Sequence, residues 1–183
     1  MFLDMSGKLL QELHKSTPFE SVQQELILNV LRTADHFSRA FEELLRPYNL
    51  SSPQYNVLRI LRGVSSSDAL RGVKPEPQGI PCKCISEKMI TRDPDITRLL
   101  DRLEARTLIT RHRDGKDRRV VYTRITEEGL RILAELDQTV LDFHVQKLAH
   151  MPEESLTQLI EQLEMIRSVG GGPAVPEVDC DGH

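Results

Sequence analysis

Apolar side chains recur at three- and four-residue steps over much of this chain, the spacing that lines one face of an α-helix. One such segment runs from Phe19 to the residue before Pro47, and another begins at Ser52-Pro53 and stops at Gly63. A shorter helix is predicted over residues 8–14, inside an N-terminal extension of residues 1–18. The first third of the chain is therefore predicted to be helical.

Two further long helices are predicted toward the C-terminus. Thr126 opens one and Pro152 starts the other, and together they occupy about residues 126–168. With the helix at about residues 19–46, they carry more apolar surface than one small lobe can cover. A subunit interface is the natural place to bury that surface, and an intramolecular bundle is the alternative. Residues 170–183 show no apolar period and are predicted to be a disordered tail.

A pair of short helices is predicted between these long ones. Asp93-Pro94 has the form of an N-cap followed by proline at the first helical position. Apolar residues then recur with helical spacing from Ile96 to Leu103, and Ile85 to Ile90 forms another short helical piece upstream. The two pieces predict a helix, a turn and a second helix.

A β-hairpin is predicted directly after the second short helix. Leu108 to Arg113 and Arg119 to Ile125 are rich in β-branched residues and alternate in polarity around Asp114-Gly115. The resulting order of helix, turn, helix and two-stranded β-wing is that of a winged helix-turn-helix, over about residues 51–126. The fold class predicted is therefore mainly α, with a winged helix-turn-helix between long N- and C-terminal dimerisation helices.

The positive charge of the chain is concentrated on this hairpin. The formal net charge of all 183 residues is −4. The hairpin nevertheless carries six basic residues, Arg111, Arg113, Lys116, Arg118, Arg119 and Arg124, against Asp114 and Asp117. Because the local field at a docking face attracts phosphate, the acidic total does not exclude nucleic-acid binding.

The hairpin and the helix after it also carry a family pattern. The residues at the spacing D-x-R-x5-[LI]-T-x2-G are Asp117, Arg119, Ile125, Thr126 and Gly129. This spacing marks the wing of MarR-type transcription regulators, which the chain resembles over about residues 19–169, and Pro94 to Glu104 looks like that family's recognition helix. The resemblance implies a homodimeric repressor that binds a pseudo-palindromic double-stranded operator and is released by a small-molecule effector.

The residues predicted to contact DNA are polar or charged and lie before the recognition helix, on it, or on the wing. They are Thr91, Arg92, Asp95, Thr97, Arg98, Arg102, Arg111, Arg113, Lys116, Arg118 and Arg119. On the helix, Thr97 and Arg98 are the better candidates for base contact, while Arg102 is a candidate for a structural role. The alternative is a solvated face on which Asp95 and Asp101, each three residues from Arg98, neutralise it.

The wing residues have a separate predicted role. In the family that the chain resembles, the wing enters the minor groove, where an inserted arginine reads groove width more than base identity. Arg118 and Arg119 are the candidates for this contact. Asp117 would repel phosphate, so we expect it to support the wing by holding a neighbouring arginine through a charge-assisted bond.

Two features depart from the family's usual pattern. Residues 64–79 are rich in Ser, Pro and Gly without an apolar period, which predicts an exposed loop insertion, either a mobile flap or tolerated surface. Thr107 stands where family members commonly have glycine between the recognition helix and the wing. Either the helix ends differently here, or a β-branched residue is strained at a cost of roughly 1 kcal/mol or more.

Length and composition narrow the class of protein. The chain fits one domain of ordinary size and contains no run of about 18 apolar residues, so we expect no membrane span. The N-terminal sequence lacks the form of a secretory signal, and three scattered cysteines argue against a disulfide framework. A cytoplasmic location is the expectation.

Other chemistry finds little support in the sequence. Cys82 and Cys84 bracket Lys83 near a helix N-terminus, where a thiolate would be favoured, so oxidant sensing is one alternative and buried inert cysteine is the other. The histidines show no pairing at metal-ligand spacing, and no catalytic motif is present, so no metal, cofactor or enzymatic activity is predicted. A winged helix used for protein contact remains a rival, although it would not need the clustered arginines.

Overall fold

The computed structural model describes residues 8–70, 79–91, 95–114 and 120–169. The chain divides into two units, with the boundary between Ser52 and Pro53. Both consist mainly of helices, and the second unit also holds a small antiparallel sheet. The predicted mainly α fold class is therefore confirmed. The predicted tail at residues 170–183 lies outside the described residues.

The first unit contains α1 (Lys8–Glu12) and the long helix α2 (Val22–Leu45). Ser21 begins α2, because its hydroxyl accepts a hydrogen bond from the Gln24 N–H and satisfies one of the unpaired donors of the first turn. A 3₁₀ turn at Arg46–Tyr48 follows, as expected from the proline at position 47. Many apolar side chains of α2 are exposed: Val22, Leu26, Ile27, Val30 and Leu31.

Helix α3 (Ser52–Leu70) is longer than predicted. The prediction that it stops at Gly63 is wrong, and so is the loop assigned to residues 64–70, while residues 71–78 lie outside the described residues. Glycine and serine lower helix propensity but do not forbid a helix. The Ser66 hydroxyl donates to the Arg62 carbonyl one turn back at 3.0 Å, which satisfies it within the helix.

The two short helices lie at shifted positions. Helix α4 spans Cys82–Lys88, so the prediction of Ile85 to Ile90 begins three residues late and runs past the true end. Helix α5 spans Ile96–Ala105, and its N-cap is Asp95, whose Oδ1 accepts from the Arg98 N–H at 3.3 Å. The predicted Asp93 cap is therefore wrong by two residues, although an aspartate does supply the cap.

The sheet contains the predicted hairpin and one strand more. Strands β2 (Ile109–Arg113) and β3 (Val121–Ile125) pair antiparallel, with Arg111 opposite Thr123. A two-residue strand β1 (Ile80–Pro81) pairs with the other edge of β3, giving the order β1-β3-β2. The sequence analysis missed β1. It needs glycine before it, because a Cβ on Gly79 would lie 2.0 Å from the Thr123 carbonyl oxygen.

The junction from α5 to β2 takes a left-handed turn at Thr107, where φ is 57°. The Thr107 N–H donates to the Glu104 carbonyl at 2.8 Å and the Leu108 N–H to the Leu103 carbonyl at 3.0 Å. This pair of bonds is a Schellman motif, which ends helices through a left-handed residue that is usually glycine. The helix therefore does not end in a different way to avoid the left-handed conformation. Instead, the β-branched Thr107 adopts that conformation and is strained.

Helix α6 (Glu127–Leu148) starts against that junction. Thr126 caps it by accepting from the Gly129 N–H at 3.1 Å, and it also donates its hydroxyl to the Thr107 carbonyl at 2.7 Å. A Cβ on Gly129 would lie 2.4 Å from the Leu108 carbonyl oxygen, so only glycine lets α6 approach this closely. The T-x2-G part of the family pattern thus has a physical cause.

Helix α7 (Glu153–Val169) follows α6, as predicted from Pro152. Within the second unit, the largest fully buried apolar side chains are contributed by α3, α4, α5, α6 and the start of β2: Val57, Leu58, Ile85, Leu100, Leu103, Leu108, Ile109, Leu133 and Leu136. In the described part of the chain, no helix combines the length and apolar character needed to cross a membrane.

Candidate nucleic-acid interface

Helix α5 is strongly two-sided. Leu99, Leu100 and Leu103 are buried, and this fixes the orientation of the helix in the lobe. Thr97, Arg98 and Arg102 are exposed on the other side. Their exposure follows from helical spacing, because residues three and four apart share a face. The helix therefore presents one threonine and two arginines outward.

The N-terminal end of α5 is organised by Asp95. One carboxylate oxygen caps the helix, and the other lies 3.1 Å from Nε of Arg98. Arg98 keeps 78% of its side chain exposed. Exposed pairs at this spacing contribute only about 0.3–0.5 kcal/mol, so a phosphate or a base edge could compete for the guanidinium. The predicted neutralisation is thus seen for Asp95 but not for Asp101, which is engaged elsewhere.

The side chains of Arg102 and Thr97 have no ion pair or hydrogen bond to any residue that the structure describes. Both side chains are exposed. Thr91, just beyond α4, is also exposed. Arg102 was a predicted DNA contact and also a candidate for a structural role, and the described contacts give its side chain no partner.

Arg111 is the most constrained of the candidate residues that the structure describes. Its Nε donates to Oε2 of Glu104 at 2.8 Å and its Nη2 to Oδ1 of Asp101 at 2.6 Å, and its backbone N–H donates to Oε1 of Glu104 at 3.1 Å. Only 21% of the side chain is exposed. The hydrogen bond that Arg111 donates to Glu104 is the largest cause that raises the pKa of the Arg111 guanidinium. The charge predicted to face DNA is instead shared between two carboxylates of α5.

This cluster of Arg111, Glu104 and Asp101, called the wing brace below, joins strand β2 to the recognition helix. Hydrogen bonds to charged groups contribute about 1.5–3 kcal/mol each, so the bonds from Arg111 to Glu104 and Asp101 fix the angle of the hairpin on α5. The sequence analysis missed Glu104 and Asp101 as partners. The sequence offered one indication of them: two carboxylates three residues apart on α5, away from the buried leucines.

The turn before α5 is held by a residue that the sequence analysis also missed. Oδ1 of Asn56, on α3, accepts the Ile90 N–H at 3.0 Å. Met89 is buried, whereas the side chain of Ile90 is 88% exposed. A backbone donor held by a side chain from another helix limits the freedom of the turn.

The described part of the wing remains paired to its outer end. The Asp114 N–H donates to the Val120 carbonyl at 3.0 Å, and His112 stacks on Tyr122 across the strands with ring centroids 5.7 Å apart. Arg113, at the end of β2, is exposed. The other predicted contacts, Arg92, Lys116, Arg118 and Arg119, and the predicted support Asp117, lie outside the described residues.

A second charged contact joins α3 to α6. Nη1 and Nη2 of Arg62 donate to the two carboxylate oxygens of Asp137, each at 2.8 Å. These hydrogen bonds lower the pKa of Asp137 and raise that of Arg62. The bidentate geometry ties a helix of the lobe to α6 at a fixed register.

The two candidate redox residues differ in their surroundings. Cys82 is a half-buried free thiol whose Sγ lies 3.9 Å from the Val121 carbonyl oxygen. Cys84 is buried. Because Cys82 is free, the two cysteines are not joined to each other. Oxidant sensing by this pair stays a prediction.

Comparison with known proteins agrees with this geometry. The family described as transcriptional regulator SarA/Rot matches residues 39–136, more than half of the chain. The crystal structure of a MarR transcription factor from Planctomyces limnophilus is 36% identical, with a TM-score of 0.58, over 81% of this chain and 99% of that one.

Two further proteins are similar to the chain. The transcriptional regulator TtmR of Methylorubrum extorquens (strain PA1) is 30% identical over 64% of the chain, and the match spans about half (54%) of the length of TtmR. The crystal structure of the S. aureus MepR–DNA complex is 18% identical and covers 76% of the chain and 95% of MepR, with a TM-score of 0.63. At that identity, the second likeness shows the fold alone.

Proposed function

We propose, from the premise that this chain belongs to the MarR-type winged-helix transcription regulators, that it is a homodimeric repressor of a pseudo-palindromic operator. The family consists of DNA-binding regulators rather than enzymes. A small-molecule effector that lowers operator affinity belongs to the same proposal. The observation that supports DNA binding most directly is the two faces of α5: its leucines are buried, and Thr97, Arg98 and Arg102 are exposed to solvent.

Each exposed group of α5 has a distinct proposed role. Arg98 and Thr97 lie in the first turn, where recognition helices contact base edges, so they read sequence. Arg102 lies one turn further along and contacts phosphate. In the free protein, Oδ2 of Asp95 lies 3.1 Å from Nε of Arg98. On binding, the base edge replaces this carboxylate as the partner of the guanidinium.

The wing acts through geometry as well as charge. The wing brace fixes the hairpin on α5, so Arg111 positions the wing rather than contacting DNA. Arg113, Lys116, Arg118 and Arg119 then supply the positive charge that contacts phosphate and the minor groove. Substituting Arg118 or Arg119 by alanine is expected to weaken binding to all duplexes, with the salt slope falling by about 0.9 for each phosphate that the variant no longer neutralises.

Dimerisation is supported by the apolar side chains that each unit leaves exposed. In the first unit they lie on α2, and in the second they lie on α6 and α7: Leu141, Val145, Leu159, Ile160, Met165 and Ile166. Exposed apolar residues in such number mark an interaction surface. Light scattering at micromolar concentration is expected to report twice 20.9 kDa.

The experiment that tests the function is selection followed by protection mapping. The full chain is used to select duplexes from a randomised pool, and the selected duplex is then cleaved in its presence. A dimer places its two recognition helices about one helical turn, roughly 10 base pairs, apart. Two symmetric protected half-sites at that spacing support the proposal. A pool that gains no sequence preference after repeated rounds contradicts it.

A further inference from the structure

We propose that Ile90 contacts the 5-methyl group of a thymine in the operator and so contributes to sequence specificity. The proposal rests on the DNA-binding function proposed above and extends it to a residue with no charge. Among the large hydrophobic residues in the described ranges, Ile90 has the highest exposed fraction, 88%. Single exposed apolar residues are common on protein surfaces, so the proposal depends on the position of Ile90 beside α5 and not on its exposure alone.

The backbone at Ile90 is held by a side chain of another helix. Its N–H donates to Oδ1 of Asn56 at 3.0 Å, which ties the turn to α3. Met89, the residue before it, is buried. The backbone of Ile90 is therefore tied to α3 while its side chain is exposed.

The position of Ile90 along the chain matches a contact with a base. It lies in the turn of the helix-turn-helix, six residues before Ile96, the first residue of the recognition helix. Recognition helices approach the major groove with their N-terminal ends, so the turn that precedes such a helix lies beside the same groove. The apolar feature that the major groove offers is the thymine methyl group, which apolar side chains contact.

The test uses the duplex that the wild-type protein selects from a randomised pool. A set of copies is made in which one symmetric pair of thymines at a time is replaced by deoxyuridine, which removes only the methyl group. Binding of the wild type, Ile90→Ala, Ile90→Val and Thr97→Ser is measured by fluorescence anisotropy. Thermal melting of each variant checks that the fold is intact, which is expected because the side chain is exposed.

The proposal predicts that one uracil pair weakens wild-type binding by about fourfold for each half-site, the effect of about one buried methyl or methylene group. Ile90→Ala should bind the thymine duplex more weakly and be indifferent to uracil at that same pair. Ile90→Val should keep part of the preference. This non-additivity is the signature of direct contact.

Three results would overturn the inference while leaving the proposed function intact. In the first, wild-type binding does not change with uracil at any position. In the second, Ile90→Ala weakens binding but keeps the full uracil effect, which would indicate contact with the sugar-phosphate backbone. In the third, the uracil effect disappears in Thr97→Ser instead, which assigns the methyl contact to Thr97. If the wild type selects no duplex at all, the proposed function itself has failed.

Discussion

Replacing Thr107 by glycine is expected to stabilise the protein. A non-glycine residue in the left-handed region costs roughly 1–2 kcal/mol, and Thr107 has a φ of 57°. Glycine removes that cost but adds freedom to the unfolded chain, which offsets roughly 0.5–1 kcal/mol. The hydroxyl bond to the Arg106 carbonyl is exposed and water can replace it. The net expected gain is therefore about 0.5–1 kcal/mol.

The measurement is urea denaturation followed by circular dichroism, with thermal melting as a second readout. For a protein of this size, a gain of about 0.5–1 kcal/mol raises Tm by roughly 1–4 °C. Asn49 is the matched control, since its φ is 52° and asparagine tolerates this region well, so Asn49→Gly should gain nothing. A neutral or destabilising effect of Thr107→Gly would refute the view that the junction is strained.

The remaining predictions concern packing, the wing brace and pH. Gly129→Ala should destabilise the protein by about 1–3 kcal/mol, because the added Cβ would overlap the Leu108 carbonyl oxygen. Gly63→Ala is the control: its added Cβ would meet nothing within 4 Å, so it should stabilise the protein by about 0.5–1 kcal/mol. Equal effects of the two variants on the urea midpoint would contradict the close approach of α6. Arg111→Lys should lower both the stability and the DNA affinity, because a lysine ammonium cannot bind two carboxylates as the planar guanidinium does. The control Arg113→Ala changes an exposed arginine and should leave Tm unchanged. An unchanged Tm in Arg111→Lys would argue against the wing brace. Because its arginine partner lowers the pKa of Asp137, that carboxylate contributes stability above its ordinary pKa of about 3.9 and loses the contribution as pH falls through the lowered value. Asp137→Asn should thus be less stable than wild type at pH 7, and the gap between their urea midpoints should close below about pH 4; a pH-independent gap would rule out the ion pair as its source.

The sequence predicted elements where apolar residues recur with a clear helical or strand period. Helices α2, α6 and α7 and the hairpin strands follow directly from such spacing, and Thr126 was found as the start of α6 because its side chain caps the helix. The second half of α3 was missed because serines and a glycine there resemble a loop. A helix can continue through weak helix formers once its first turns are packed, and sequence propensity does not contain that information.

The candidate site was predicted in its outline but not in its internal contacts. The outer face of α5 follows from the leucine stripe alone. The binding of Arg111 by Glu104 and Asp101 depends on how β2 crosses α5, a tertiary relation that no local pattern specifies. The same holds for Asn56, which lies 34 residues from the Ile90 N–H that it accepts.

The central proposal is that the outer face of α5 reads DNA sequence and that Arg98 is one of the residues that do so. The most direct measurement is a fluorescence-anisotropy titration of the wild type and Arg98→Ala. Each protein is titrated with the selected duplex and with a scrambled duplex of equal composition, at two salt concentrations. Arg102→Ala, one turn along the same face, is the matched control.

The account predicts that Arg98→Ala loses roughly 1–3 kcal/mol on the selected duplex and much less on the scrambled one. Arg102→Ala should instead weaken both duplexes equally and lower the salt slope. If Arg98→Ala binds both duplexes as tightly as the wild type at both salt concentrations, α5 does not read DNA and the account is contradicted.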